Sequence, residues 1–462
     1  MATGAAMKSV ASSVSMLLAA LYLAGSISGK AVGILPKDQA VVLPEAVHSA
    51  PLETPQEQPN LSSMVPQIEQ TWEKQFEDYF RRSFPERSIT VKDIADTLNR
   101  LAIQTKTKPA LLYVVPLQQQ LELVLITPGN PPIHKRVAAA NRKALLAQAR
   151  EFSLTVSAAT LEDASNYLPP AQQLYQWMIA PVERDLQAQG IDTLIFCMGV
   201  GLRTLPLAAL HDGQKFLIEK YSITRIPAFK LTDTIYTDLK NSPVLAMGAS
   251  VFKEQNPLPA VPVELSAIAQ TIWHGRFFLN QEFTEDNLRI QRQQQPFKII
   301  HLATHADFLP GKPRDSYIQF WDNKLTLDKI GQLGLNNPPV ELLVLSACKT
   351  AIGNEEAELG FAGLAVQAGV KSAVASLWYV SDEGTLALMT EFYRHLQTAP
   401  IKAAALQKAQ IEMITGQLPI ENGQLQSHNG RISLPPALAK NQNQNLSHPY
   451  YWAAFTVVGS PW

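Results

Sequence analysis

Phe297-Lys-Ile-Ile-His-Leu-Ala-Thr-His305 and Val340-Glu-Leu-Leu-Val-Leu-Ser-Ala-Cys348 are two near-continuous apolar runs, each ending in a reactive side chain. Runs without polar alternation fit strands covered on both faces, as in a parallel sheet between helices. Further runs stand at 244–247, 277–279, 373–377 and 455–458, with helical patterns between most of them. From residue 241 onward the chain therefore reads as an α/β unit with a mainly parallel sheet flanked by helices. In such sheets chemistry collects beyond the carboxyl ends of the strands. With the strands 299–304 and 342–346 as neighbours, His305 and Cys348 would emerge on one edge, as a nucleophile and its base must.

Spacing removes the competing chemistries. A zincin helix needs H-E-x-x-H, but Leu302 stands where the glutamate belongs, and Asn354 stands where a thiol phosphatase would carry its arginine. No G-x-x-x-x-G-K-[ST] loop, G-x-S-x-G elbow or paired C-x-x-C is present. Gly199-Val-Gly201 begins a dinucleotide fingerprint that Thr204 and Pro206 then break. No cofactor and no metal are expected. A thiol and an imidazole remain: the thiolate attacks a carbonyl carbon, and the imidazole first helps form the thiolate and then protonates the leaving amine. Cys197, inside an apolar strand, reads as a small buried hydrophobe, whereas Cys348 is followed by Lys349, Thr350, Gly353, Asn354 and Glu355, where a strand exits into a polar loop. His301, deeper in its strand, reads as a core or supporting histidine.

Upstream, Ile68, Trp72, Phe76 and Phe80 recur every four residues and mark an amphipathic helix, and Thr90 caps a second one. Runs at 110–115 and 121–126 read as a hairpin or neighbouring strands, followed by helical patterns at 134–152 and 167–189 and a strand at 193–198. Residues 65–240 are thus a helical and mixed α/β subdomain preceding the catalytic one at 241–462. Pro36, Pro44, Pro51, Pro55 and Pro59 make 30–64 a proline-rich linker. Residues 1–29, with Lys8 ahead of an apolar run at 14–24, have the layout of a signal peptide or membrane anchor, which places the protein outside the cytoplasm or tethered to a membrane; a mis-assigned start, with a cytoplasmic protein, is the alternative. At 462 residues, 46% apolar and 17% charged, the chain is globular, and 39 basic against 40 acidic residues give no field that would draw nucleic acid.

Together the motifs resemble those of the CHAT domain, a caspase-like family of the separase and caspase clan. They are H-x-A-T-H at His301 to His305, L-x-V-L-S-A-C-x-T at Leu342 to Thr350, S-L-W-x-V-x-D at Ser376 to Asp382 and His448-Pro-Tyr-Tyr-Trp-Ala-Ala-Phe455. The likeness runs from about residue 90 to the end. It implies a caspase-like sheet and a cysteine endopeptidase with His305 as base and Cys348 as nucleophile, the backbone N–H groups of Ala306 and Cys348 holding the oxyanion, and a protein or peptide substrate. Ala306 stands where caspase-type sites usually have glycine, and the tetratricopeptide repeats that often accompany the family are absent. Clan relatives that cut after basic residues carry a carboxylate in the S1 pocket, which points to Asp382, with Trp378 as a pocket wall; the alternative is that Asp382 or Ser381 caps the following helix. An inactive caspase-like module that binds peptides without cutting them is the reading of a different class.

Overall fold

The computed structural model describes residues 61–158, 165–428, 430–439 and 443–462. The leader expected at 1–29 and most of the linker lie outside the described residues. The first helix, Leu61–Phe80, starts inside the stretch expected as linker, and its Ile68, Trp72, Phe76 and Phe80 are buried as their spacing requires. Thr90 and Asp93 form a reciprocal capping box at the head of the second helix, Val91–Thr105. No helix among the described residues is long and apolar enough to cross a membrane.

Among the described residues 13 strands form one sheet. In chain order they begin with β1 (Pro109–Pro116), β2 (Leu121–Ile126), β3 (Ile133–Val137), β4 (Thr193–Met198) and β5 (Ser222–Ile226). Then follow β6 (Val244–Gly248), β7 (Gly275–Leu279), β8 (Ile299–Phe308), β9 (Tyr317–Gln319), β10 (Lys324–Thr326), β11 (Leu342–Thr350) and β12 (Ser372–Ser376). Four short strands, β13 (Ile420–Glu421), β14 (Gln424–Ser427), β15 (Gly430–Ser433) and β16 (Asn443–Gln444), form a second sheet, and β17 (Phe455–Gly459) returns to the first. The order is β10-β9-β8-β11-β12-β17-β5-β4-β1-β2-β3, with β6 pairing β8 and β7. The run β7-β6-β8-β11-β12 is parallel, as is β17-β5-β4-β1, while β17 lies antiparallel to β12. Every residue of β4, β5, β6, β12 and β17 is buried, so both faces of the sheet are covered. All strands drawn from residues before 240 lie on one side of the β17–β5 junction, and the two halves share this single sheet.

One expected helix is corrected. The pattern at 134–152 divides into β3 and a helix at Arg142–Val156. Helical spacing loses there to a cross-strand partner. Glu122 of β2, almost fully buried, takes both His134 and Arg136 of β3, which a helix would turn away from it.

Candidate active site

β8 and β11 are parallel neighbours, with Ala347 opposite His305 and Cys348 opposite Ala306, beyond an irregularity in register between Leu345 and Ala347. Both strands run past the ends expected for them, β8 to Phe308 and β11 to Thr350, so the two candidate residues sit inside the ladder. Cys348 has no solvent exposure and His305 only 9%.

The imidazole is held on three sides. Its Nε2 lies 2.8 Å from the carbonyl oxygen of Asn256. A carbonyl only accepts, so Nε2 carries the proton and Nδ1 keeps a lone pair. Phe252 packs edge-on at 4.7 Å between ring centroids, and Tyr379 stacks at 5.9 Å with 25° between planes. Burial pushes His305 below the ordinary histidine range, opposed by the Asn256 carbonyl and the charge of Asp307. The imidazole is therefore neutral at pH 7, with Nδ1 as its basic atom.

The thiol is held by its own strand and by Ser376. Its Sγ–H points to the Leu345 carbonyl at 3.5 Å. The N–H of Cys348 donates to Ser376 Oγ at 3.1 Å, and that hydroxyl donates back to the Cys348 carbonyl at 3.0 Å. Burial pushes the thiol up to about 12. Among the described residues no hydrogen bond joins Cys348 to His305. The two stand on adjacent strands, but the register pairs Cys348 with Ala306 and so sets its side chain on the face of the ladder opposite to that of His305, with Sγ turned to its own strand. Because only the thiolate reacts, iodoacetamide at pH 7.5 should alkylate Cys348 in the folded protein at least about tenfold more slowly than in the urea-unfolded chain, read by peptide mass spectrometry.

Residues 168–460 match the CHAT domain. The chain belongs to the CHAT domain family. The match takes in β4 onward and every functional residue named so far, and begins later than the likeness expected from residue 90. Two solved structures of the Saccharomyces cerevisiae separase–securin complex are also similar to it. One is 9% identical with a TM-score of 0.43, covering 80% of this chain and 32% of the other; the second is 11% identical with a TM-score of 0.46, covering 87% and 33%. This chain thus spans about a third of the length of those chains. No curated protein matches it.

In this CHAT domain neither oxyanion donor expected from the sequence stands at an open strand end. The Cys348 amide is given to Ser376, and Ala306 is paired with Cys348 on one side and Ile318 of β9 on the other. The extra residues of β8 and β11 are the cause, since they carry the ladder past the positions where open strand ends were expected. Trp378 is 6% exposed, and its indole N–H donates to the Tyr450 carbonyl at 3.0 Å, which fixes its ring in the packed interior. Asp382 is not the helix cap. Ser381 is, accepting the Gly384 N–H at 3.2 Å ahead of the helix Asp382–Leu396. The Asp382 carboxylate instead accepts the Ala260 N–H at 3.2 Å and the Tyr379 hydroxyl at 3.0 Å, and burial pushes it up to about 6. His301 is fully buried between Glu264 (2.9 Å) and the Tyr393 hydroxyl (3.2 Å), a core histidine.

Asn256, Phe252, Ser376 and Tyr379 were not singled out by the sequence. Asn256 contributes a main-chain oxygen that any residue would offer, so no side-chain signal exists for it. One cluster has metal-ligand spacing: Glu391, Glu412 and His428 bring their ligand atoms within 4.8 Å of one another. Arg394 pairs with both carboxylates, so the chain supplies its own cation there.

Proposed function

We propose that this CHAT domain protein is a cysteine endopeptidase that cuts a protein after a basic residue. The observation that carries the reading is the Nε2–H of His305 on the Asn256 carbonyl, which leaves Nδ1 as the proton acceptor on the strand beside Cys348. In the reaction the Cys348 side chain first turns from the Leu345 carbonyl to the face of His305; Nδ1 then takes the Sγ proton, the thiolate adds to the scissile carbonyl carbon, and the imidazolium returns the proton to the leaving amine. Water, activated by the same nitrogen, then releases the acyl group from sulfur. The Cys348 amide can serve the oxyanion once it leaves Ser376. Asp382, at the start of the loop-to-helix turn beyond β12, supplies the charge that a P1 guanidinium or ammonium needs when it leaves water.

The test is purified protein against a peptide library varied at P1, beside a Cys348→Ala control. Cleavage after Arg or Lys that the control lacks is the expected result, and an intact library ends the reading. Asp382→Asn should lower kcat/KM on the basic peptide about 10–100-fold. It should leave the melting temperature at pH 7 nearly unchanged, the acceptor lost to Tyr379 or Ala260 offsetting the ionisation cost removed with the charge. The folded carboxyl titrates near 6, above its ordinary 3.8, so its ionisation costs stability as pH rises through that value, and asparagine avoids the cost. For the same reason wild-type cleavage after basic residues should fall as pH drops through about 6, where the carboxylate is lost.

The second reading, a module that binds a peptide without cutting it, is favoured by the closed state of the site, with Cys348 fully buried and not bonded to His305. The same library decides between them.

A further inference from the structure

Tyr379 does two things at once. Its ring lies against the His305 imidazole, and its hydroxyl donates to Asp382 Oδ1. The Ala260 amide takes the other carboxylate oxygen, Oδ2. Each carboxylate oxygen of Asp382 thus already accepts a hydrogen bond from the chain itself, and an incoming cation must share or displace the Tyr379 hydroxyl to reach Oδ1. The one side chain thus touches both the carboxylate and the candidate base.

We infer that Tyr379 is a built-in occupant of the P1 pocket, and that its side chain must rotate away before a basic residue can enter. The inference rests on Asp382 being the P1-binding carboxylate, and goes beyond it by naming what keeps the pocket shut. The backbone around the plug is fixed: the Tyr450 hydroxyl donates to the Tyr379 carbonyl at 3.1 Å, and Trp378 holds the Tyr450 carbonyl. Opening is then a side-chain event about the Tyr379 Cα–Cβ bond with the loop left in place. A guanidinium is the fitting replacement, because it gives Oδ1 a charged donor in exchange for a neutral hydroxyl and presents a flat surface to the imidazole. Tyr379 also selects: a P1 side chain without a donor for Asp382 would displace the phenol and leave the buried carboxylate with one partner fewer.

The test uses the full chain as wild type, Tyr379→Phe, Tyr379→Ala and the double variant Tyr379→Ala/Asp382→Asn. The probe is benzamidine, an amidinium that pairs with a carboxylate without chemistry. By calorimetry Tyr379→Ala should bind it at least about tenfold more tightly than wild type. Tyr379→Phe should fall between the two, since the ring stays while the hydroxyl goes, and the double variant should lose the gain. On an arginyl peptide the alanine variant should lower KM, with kcat falling as well because the ring no longer holds the His305 imidazole. Benzamidine affinities equal to wild type in both single variants, with circular dichroism and melting unchanged, would overturn the inference; should the alanine variant fail to fold, the phenylalanine variant alone decides it. A gain in benzamidine affinity without cleavage of any peptide keeps the plug and removes the peptidase reading.

Discussion

Cys348→Ala is expected to abolish peptide cleavage and His305→Ala to lower kcat/KM by about 10²–10⁴-fold, with the double variant no worse than Cys348→Ala alone. The two losses overlap because the residues act as one unit: without sulfur there is no proton for Nδ1 to take, and without Nδ1 the buried thiol, near 12, stays protonated at neutral pH. Alanine is the right replacement at 348. The side chain is completely buried, so serine would set a hydroxyl where only the Leu345 carbonyl is in reach, whereas alanine removes one sulfur at a cost of about 1 kcal/mol. Melting curves should confirm that both variants fold. The pH profile carries a further mark of the assignment. His305 is held below the ordinary histidine range, so its basic form persists to lower pH than a free imidazole would, and the acid limb on basic substrates should be set by Asp382 near 6. A Cys348→Ala protein that still cuts would sink the dyad.

Apolar strands bring their ends to a common edge whatever the loops do, which is why the placement of His305 and Cys348 was legible in two short runs. Continuous Val, Leu and Ile with no alternation leave only a doubly covered strand as a solution, and the parallel β8–β11 pair follows. Where those strands stop was not legible. The polar residues after Cys348 read as loop, yet Thr350 finds the Leu377 carbonyl and Ala351 the Phe308 carbonyl, so main-chain bonding from both sides extends the ladder across them. The same cause hid the closed site. Whether the Cys348 amide is free depends on Ser376, 28 residues away, and Ser376 in a strand reads as an ordinary small residue. The fixing of His305 depends on a carbonyl, which carries no side-chain identity at all. Asp382 was legible as a residue of interest because it closes the S-L-W-x-V-x-D motif in the loop beyond the strand 373–377, but its partner Tyr379 was not, since an aromatic beside Trp378 reads as core. β3 failed for a different reason: its helical spacing is real, and only the buried Glu122 opposite overrides it.

Glu358→Ala should destabilise the protein by about 3–5 kcal/mol, the largest single loss of stability expected outside the apolar core. Glu358 sits on the helix Glu355–Ala362, directly after β11 and its loop, and is 1% exposed. Its carboxylate accepts the Gly201 N–H at 2.8 Å and the Thr204 hydroxyl at 3.3 Å, both from the turn beyond β4 in the other half of the sheet. Two buried guanidiniums depend on it. Burial pushes Arg203 down to about 10 and Arg225 down to about 9, and the charge of Glu358 is the first influence that opposes this in each. Arg225 in turn holds the Arg203 and Leu205 carbonyls and the Thr456 hydroxyl, across the β5–β17 junction that unites the halves. Alanine would leave an amide and a hydroxyl short of a partner inside the protein, and would take from the two guanidiniums the charge that opposes their desolvation. Whether the charge or the acceptor matters more can be decided by glutamine. Burial raises the Glu358 carboxyl, and the Gly201 amide and Arg203 only partly pull it back. A carboxyl raised on folding contributes most when protonated and less as pH climbs through its folded value, so the acceptor outweighs the charge. Glu358→Gln keeps an oxygen for the Gly201 N–H, and should cost only about 1–2 kcal/mol. Urea unfolding at pH 7 on the two variants reads the difference; equal losses would mean that the charge, not the hydrogen bond, holds the two halves of the sheet together.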